Sequence, residues 1–222
     1  MKKPEFLAFF RARPFIKKIN YLVDATTNKK VLDVGCVGQD TLVENPDWLH
    51  NRIRQKAKTL KGVDINIEGI KTLQRKGFDV VHVNQLDSEE FDIIIMSDII
   101  EHVDCPLDTI EFYSKFLHKS GKIIITTPNP FYFAQFLRIL FRNNVSVNRE
   151  HTCWLDPIVF SEIIERSQMV EILSFYWLSD YVKLNELNWL EKSIVLVSRL
   201  MMHSRSFFAA NYAIELVRKN VN

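Results

Sequence analysis

The sequence predicts a single α/β domain: a seven-stranded, mainly parallel sheet with helices on both faces and an antiparallel strand at one edge. Three observations predict it. Short β-type runs alternate with amphipathic helical stretches between Lys30 and Thr127, the rhythm of a sheet built by helical crossovers. The run Phe91-Asp92-Ile93-Ile94-Ile95-Met96 is apolar on both faces, as a central parallel strand must be. Two late β-type runs lack a crossover of that kind between them, which places an antiparallel strand at the edge.

Each element has its own warrant. Lys30–Val34 reads as the first buried strand, with helical material from Trp48 to Lys58 and a second strand over Leu60–Asp64. Asn66 can cap a helix whose Ile67, Ile70 and Leu73 share one face, and Gly77 can end it. Asp79–Val83 is a third strand and Phe91–Met96 the fourth. Pro106 suits the first turn of a helix with Leu107, Ile110, Phe112 or Tyr113, and Phe116 or Leu117 facing inward. Ser120-Gly121 turns into a fifth strand, Lys122–Thr127. Phe131–Phe141 reads as an aromatic helix, and Asp156-Pro157 starts another that reaches about Arg166. Val170–Trp177 and Ala213–Val217 are strands six and seven, separated by helix-like sequence over 185–208. The chain thus divides into an N-terminal helical segment (1–28), a core (30–127) and a covering half (128–222) within one domain.

Composition narrows the class. The 222 residues are 47% hydrophobic and 25% charged, ordinary for one globular domain. A formal net charge of +2 gives no electrostatic footprint for nucleic acid, and the basic residues are scattered. Cys36, Cys105 and Cys153 form no CxxC pair, which fits reduced thiols in a cytoplasmic protein. No signal-peptide core and no run of about 18 apolar residues is present. No His, Cys, Asp and Glu set has metal-ligand spacing, so no metal is expected.

The chemistry starts at Val31-Leu32-Asp33-Val34-Gly35-Cys36-Val37-Gly38-Gln39-Asp40. A strand runs into a glycine-containing loop, where backbone N–H groups can face a polar ligand and glycine lets it approach. Asp64, in Gly62-Val63-Asp64-Ile65, closes the second strand. An acid there suits ribose hydroxyls, because ligands of open α/β sheets bind beyond the carboxyl ends of the strands. A helix cap or turn is the plainer role for Asp64.

With these segments, FDIIIMSDIIEHVDCP and GKIIITTPNP complete a series that resembles the successive motifs of class I S-adenosylmethionine (SAM)-dependent methyltransferases, a Rossmann-like fold. The closer resemblance is to a small bacterial subgroup with an EH motif after strand four and a TPN motif after strand five. The segment 148–157 resembles that subgroup's substrate side. The resemblance implies that Asp33 holds the methionine ammonium of SAM through water. Gly35, Cys36, Val37 and Gly38 would face the methionine moiety, Asp64 would accept the ribose hydroxyls, and Ile65 would pack on adenine. Asn84, Gln85 and Leu86 would meet the adenine edge, and Ser97 and Asp98 would lie beneath the sulfonium. One departure stands out: Val37 and Gln39 occupy the second and third glycine positions of the family's loop.

An oxygen acceptor of high pKa needs a base near the methyl group. His102 of Glu101-His102 and His151 of Glu150-His151 are the candidates, with an ordinary pKa of about 6.5. A helix cap at His102 and a surface loop at His151 are the plainer roles. His50, His82, His118 and His203 lack partners in sequence and read as structural. The acceptor is expected to be a small molecule, saccharide or lipid-linked compound. The apolar stretches 131–142 and 189–202 cover the sheet, form a homodimer contact, or meet a membrane surface. Two alternatives remain: a methyltransferase-like subunit that binds a partner without turnover, supported by the altered loop, and a nicotinamide-dependent oxidoreductase, which lacks a GxGxxG order here.

Overall fold

The computed structural model describes residues 3–38, 45, 48–179 and 187–219. Gln39 and the start of the 185–208 stretch lie outside them. The elements, in chain order, are α1 (Lys3–Arg11), β1 (Phe15–Ile16), α2 (Lys18–Ala25), β2 (Lys30–Val34), α3 (Leu49–Arg54), β3 (Thr59–Asp64), α4 (Ile67–Arg75) and β4 (Val80–His82). They continue as β5 (Phe91–Ser97), α5 (Pro106–Ser114), β6 (Leu117–Pro128), α6 (Phe133–Arg142), α7 (Pro157–Glu165), β7 (Val170–Leu178), α8 (Trp189–Ser204) and β8 (Asn211–Arg218).

They form one eight-stranded sheet in the order β1-β7-β8-β6-β5-β2-β3-β4. The central pairs β2/β3, β3/β4, β2/β5 and β5/β6 are parallel, as expected. Two expectations need correction. The antiparallel strand is internal, because β8 inserts between β6 and β7 and runs against both. Its Tyr212, Ala213, Ile214 and Leu216 are fully buried, whereas β7 leaves Leu173 half exposed and suits the outer position. The sheet also has eight strands rather than seven. Pro14 precedes a two-residue strand, β1, which pairs in parallel with Trp177 and Leu178 of β7. Two residues carry no sequence period, so the 1–28 segment read as wholly helical.

Alternation along the central strands sends neighbouring side chains to opposite faces. Val31, Ile93, Ile95 and Ile124 pack with Leu22, Val23 and Ile53 of α2 and α3. Their neighbours Leu32, Ile94, Met96, Ile123 and Ile125 pack on the other face with Ile110 of α5, Phe160 and Ile164 of α7, and Met202 of α8. The caps follow the sequence. Asn66 Oδ1 accepts from Gly69 N at 2.9 Å to start α4, and Asp156 Oδ1 accepts from Ile158 N at 2.8 Å to start α7. Ser120-Gly121 is not a turn: β6 runs through it. A Cβ on Gly121 would come within 2.7 Å of Asp92 O, so close strand approach requires this glycine.

Candidate functional site

The carboxyl ends of β2, β3, β5 and β6 open into a cavity of about 790 Å³. At one end lies the glycine loop. Gly35 has φ +72°, and a Cβ there would sit 2.0 Å from Ile99 Cδ1. The left-handed backbone therefore favours glycine, and an added Cβ would also force the Ile99 side chain to shift. Gly38 also has positive φ.

Val37, the departure in the loop, is accommodated by a partner that is far off in sequence. Its side chain lies over Gly69 in the first turn of α4, where an added Cβ would stand 2.3 Å from Val37 Cγ1. Bulk lost at Gly69 makes room for bulk gained at Val37. The Val37 N–H then donates to Asp64 Oδ2 at 2.9 Å. Asp64 Oδ1 accepts from Ile65 N at 2.8 Å and from Asn66 N at 2.9 Å. One carboxylate thus clamps the β3 turn to the glycine loop. A carboxylate offers about four acceptor sites, so these bonds leave room for one more donor. Ile65 beside it is 77% exposed.

Asp33 and Cys36 stand behind this wall and do not line the cavity. Asp33 is 3% exposed, and His50 Nδ1 of α3 donates to its Oδ2 at 2.7 Å. His50, without a partner in the sequence reading, is the group that fixes Asp33. Cys36 packs beneath Gly62, and burial pushes its thiol well above the ordinary range. Asn84, Gln85 and Leu86 also lie off the cavity wall. Asn84 and Gln85 belong to a short 3₁₀ turn in which Asn84 N donates to His82 Nδ1 at 3.2 Å.

Ser97 and Asp98 form part of the cavity wall at the end of β5. Thr126 Oγ1 donates to Asp98 Oδ1 at 3.0 Å and Ser97 Oγ lies 3.1 Å from Thr126 Oγ1. Asp98 has φ +55°, a conformation rare outside glycine. Lys18 of α2 forms an ion pair with its Oδ2. Sequence reasoning missed Lys18, because 80 residues separate the pair and neither position has a local signature.

The far end of the cavity brings together the EH turn, the TPN strand end and the 148–157 segment. Thr127 Oγ1 donates to Glu101 Oε2 at 3.0 Å. Thr152 N donates to Glu101 O at 2.9 Å, and Thr152 Oγ1 to Val103 O at 2.8 Å. These bonds carry His151 to His102, and the two rings meet edge to face with centroids 4.7 Å apart. Asn129 Nδ2 donates to Phe207 O and Ala209 O at 2.8 and 2.7 Å, tying the TPN turn to the segment before β8.

Glu101, only 2% exposed, is the residue that the sequence reading passed over in favour of its neighbour. Burial and the nearby Asp98 charge push its carboxyl up to about 7. Among the described residues its Oε1 has no hydrogen-bond partner, nor has His151 Nδ1. Burial and then the His102 charge lower the His151 pKa. One potential ligand atom from each of Glu101, His102 and His151 falls within a 4.8 Å cluster, although sequence spacing gave no metal set.

Comparison with known proteins identifies the family and the fold. A family described as a methyltransferase domain matches residues 7–168. The fold is similar to a SAM-dependent methyltransferase from Archaeoglobus fulgidus (20% identity, TM-score 0.52, covering 97% of this chain and 90% of that one). It is also similar to magnesium protoporphyrin IX methyltransferase from Synechocystis with bound SAH (15%, 0.57, 91% and 80%). A third similar structure is a SAM-dependent methyltransferase from Mesorhizobium loti (13%, 0.52, 91% and 96%). No curated protein matches the chain significantly.

Proposed function

The chain belongs to the methyltransferase-domain family, and we propose that it moves the methyl group of SAM onto a small-molecule acceptor. The carrying observation is one cavity that runs from the glycine loop and Asp64 to Glu101, His102 and His151. Gly35, Val37 and Gly38 present backbone to the methionine end. Asp64 accepts a ribose hydroxyl at the position its three backbone bonds leave open, and Ile65 covers the adenine. Asp33 acts from behind the loop, its charge held in place by His50. Asn84, Gln85 and Leu86 extend the adenine side beyond the cavity wall. Ser97 and Asp98 lie between the two ends, beneath the sulfonium.

A SAM methyl group is already activated, so the protein has to align the acceptor and manage its proton. His102 and His151 are the groups on the acceptor side that do so. Exposed Phe136, Ile139, Leu140 and Phe141 on α6, with Trp189 and Leu200 on α8, support a lipid-linked acceptor met at a membrane surface. No helix of the described residues is long and apolar enough to cross a membrane, so such contact is peripheral. Co-sedimentation with anionic vesicles tests it, and absence of binding removes the lipid-linked acceptor; a dimer in sedimentation velocity would assign that face to a second copy.

Thermal protection tests the cofactor reading. SAM or SAH raises the melting temperature progressively with ligand concentration, and NAD or NADP does not. Protection by a dinucleotide alone would move the chain to the oxidoreductase reading. SAM protection without turnover across an acceptor panel would favour the partner-binding one.

A further inference from the structure

We propose that Glu101, His102 and His151 form a binding site for a divalent first-row transition cation, which would hold an oxygen acceptor beside the SAM methyl group. The substrate side of this inference rests on the methyltransferase reading; the cation site does not. Three observations converge. First, two different imidazoles and a carboxylate, from segments some fifty positions apart, place one donor atom each within 4.8 Å of one another. Ligands of a tetrahedral ion, each about 2.0–2.1 Å from it, stand about 3.4 Å apart, so side-chain rotations that draw the donor atoms together by about 1 Å close the set.

Second, the set is left unsatisfied by the protein. Glu101 is almost wholly buried, yet among the described residues its Oε1 has no donor and His151 Nδ1 has no partner. Buried polar atoms in folded proteins are nearly always paired, and exceptions point to a ligand or ion. Glu101 Oε2, by contrast, is fixed by Thr127, which aims the carboxylate. Third, the site is orientated from outside. Thr152 bonds to the backbone of Glu101 and Val103 hold the His151 loop against the EH turn. Asp98 is not a further ligand, because Thr126 and Lys18 already engage its two oxygens.

Two nitrogens and one carboxylate suit a borderline cation such as Zn²⁺ or Fe²⁺ better than Mg²⁺ or Ca²⁺, which prefer all-oxygen shells, and the harder Mn²⁺ serves as a paramagnetic probe of the same site. Three protein ligands leave positions open toward the cavity that all three residues line. An acceptor hydroxyl entering there would lose its proton to solvent as the cation lowers its pKa. Its oxygen would then form the bond to the methyl carbon while the carbon–sulfur bond breaks, and the sulfonium would leave as a neutral thioether. With the cation bound, His102 and His151 would serve as its ligands and not as the proton acceptor, since a coordinated nitrogen cannot also accept a proton.

The test is Mn²⁺ titration of chelator-treated, dialysed full-length protein, followed by electron paramagnetic resonance and repeated with Zn²⁺ by calorimetry. Wild type is expected to bind one Mn²⁺ saturably. Glu101→Gln and His151→Asn should each weaken it at least tenfold while keeping SAM binding, which reports that the fold survives. Asp64→Ala should lose SAM and keep Mn²⁺. Absence of saturable Mn²⁺ and Zn²⁺ binding, or binding that both site variants leave unchanged, would overturn the site. A shared Glu101–imidazole proton would give the first of these results. Mn²⁺ binding in a protein that ignores SAM would uphold the site and remove the methyltransferase reading.

Discussion

The two ends of the cavity are built on opposite terms. At the glycine loop the chain satisfies its own charges: three backbone N–H groups saturate most of Asp64, and His50 holds Asp33. At the EH turn the described residues leave Glu101 Oε1 and His151 Nδ1 without partners. A self-satisfied end is preorganised and binds a constant ligand without rearrangement. An unsatisfied end stores a desolvation cost that only a ligand relieves. The contrast fits a fixed cofactor at one end and a variable acceptor at the other.

Substitutions can break each half of this comparison. The largest effect is expected from His50→Ala, which strands a buried carboxylate at Asp33. Loss of one partner of such a pair costs about 3–5 kcal/mol, measurable by urea unfolding, and Asp33→Asn in the same background should recover much of it. An unchanged midpoint would show that the pair does not organise the loop. Gly35→Ala follows. Positive φ and the Ile99 contact together cost about 2–3 kcal/mol, and Ile99→Ala should return only the steric share.

The acceptor end responds to pH instead. In metal-free protein the Glu101 carboxyl titrates near 7 when folded, against an ordinary value of 4.5. The folded state keeps a proton that the unfolded state releases across that window. Stability from this group is therefore complete below pH 4.5, falls as pH rises through 7, and is flat above. Between pH 5 and pH 8 the loss is about 2–3 kcal/mol. Comparing wild type with Glu101→Gln by thermal melts at pH 5 and pH 8 reads it: the variant should lack this slope, and parallel melting curves would contradict it. The smallest effect concerns the altered loop. Gly69→Ala should destabilise by about 1 kcal/mol despite alanine's better helix propensity, and should stabilise once Val37→Gly makes room. Additive effects would mean that Val37 and Gly69 are not coupled.

What the sequence made legible follows the same division. The central parallel strands announce themselves through apolar runs such as Phe91–Met96, and the caps Asn66 and Asp156 through local chemistry. The two-residue strand β1 and the internal position of β8 depend on pairing across the sheet, which no local period encodes. At the site, individual residues could be nominated, but their partners could not. His50 with Asp33, Lys18 with Asp98, and Gly69 beneath Val37 are separated by 17 to 80 positions. Glu101 was hidden because a carboxylate beside a histidine looks like an ordinary turn residue until its burial is known.

The most direct measurement is isothermal titration of cofactor-free protein with SAM and SAH, beside Asp64→Ala. Saturable one-site binding by wild type, lost in the variant, is the predicted result. It would show that Val37 leaves the glycine loop competent. No binding of either ligand by well-folded wild type would contradict the account, and the cavity would then belong to a partner-binding relative of the methyltransferases.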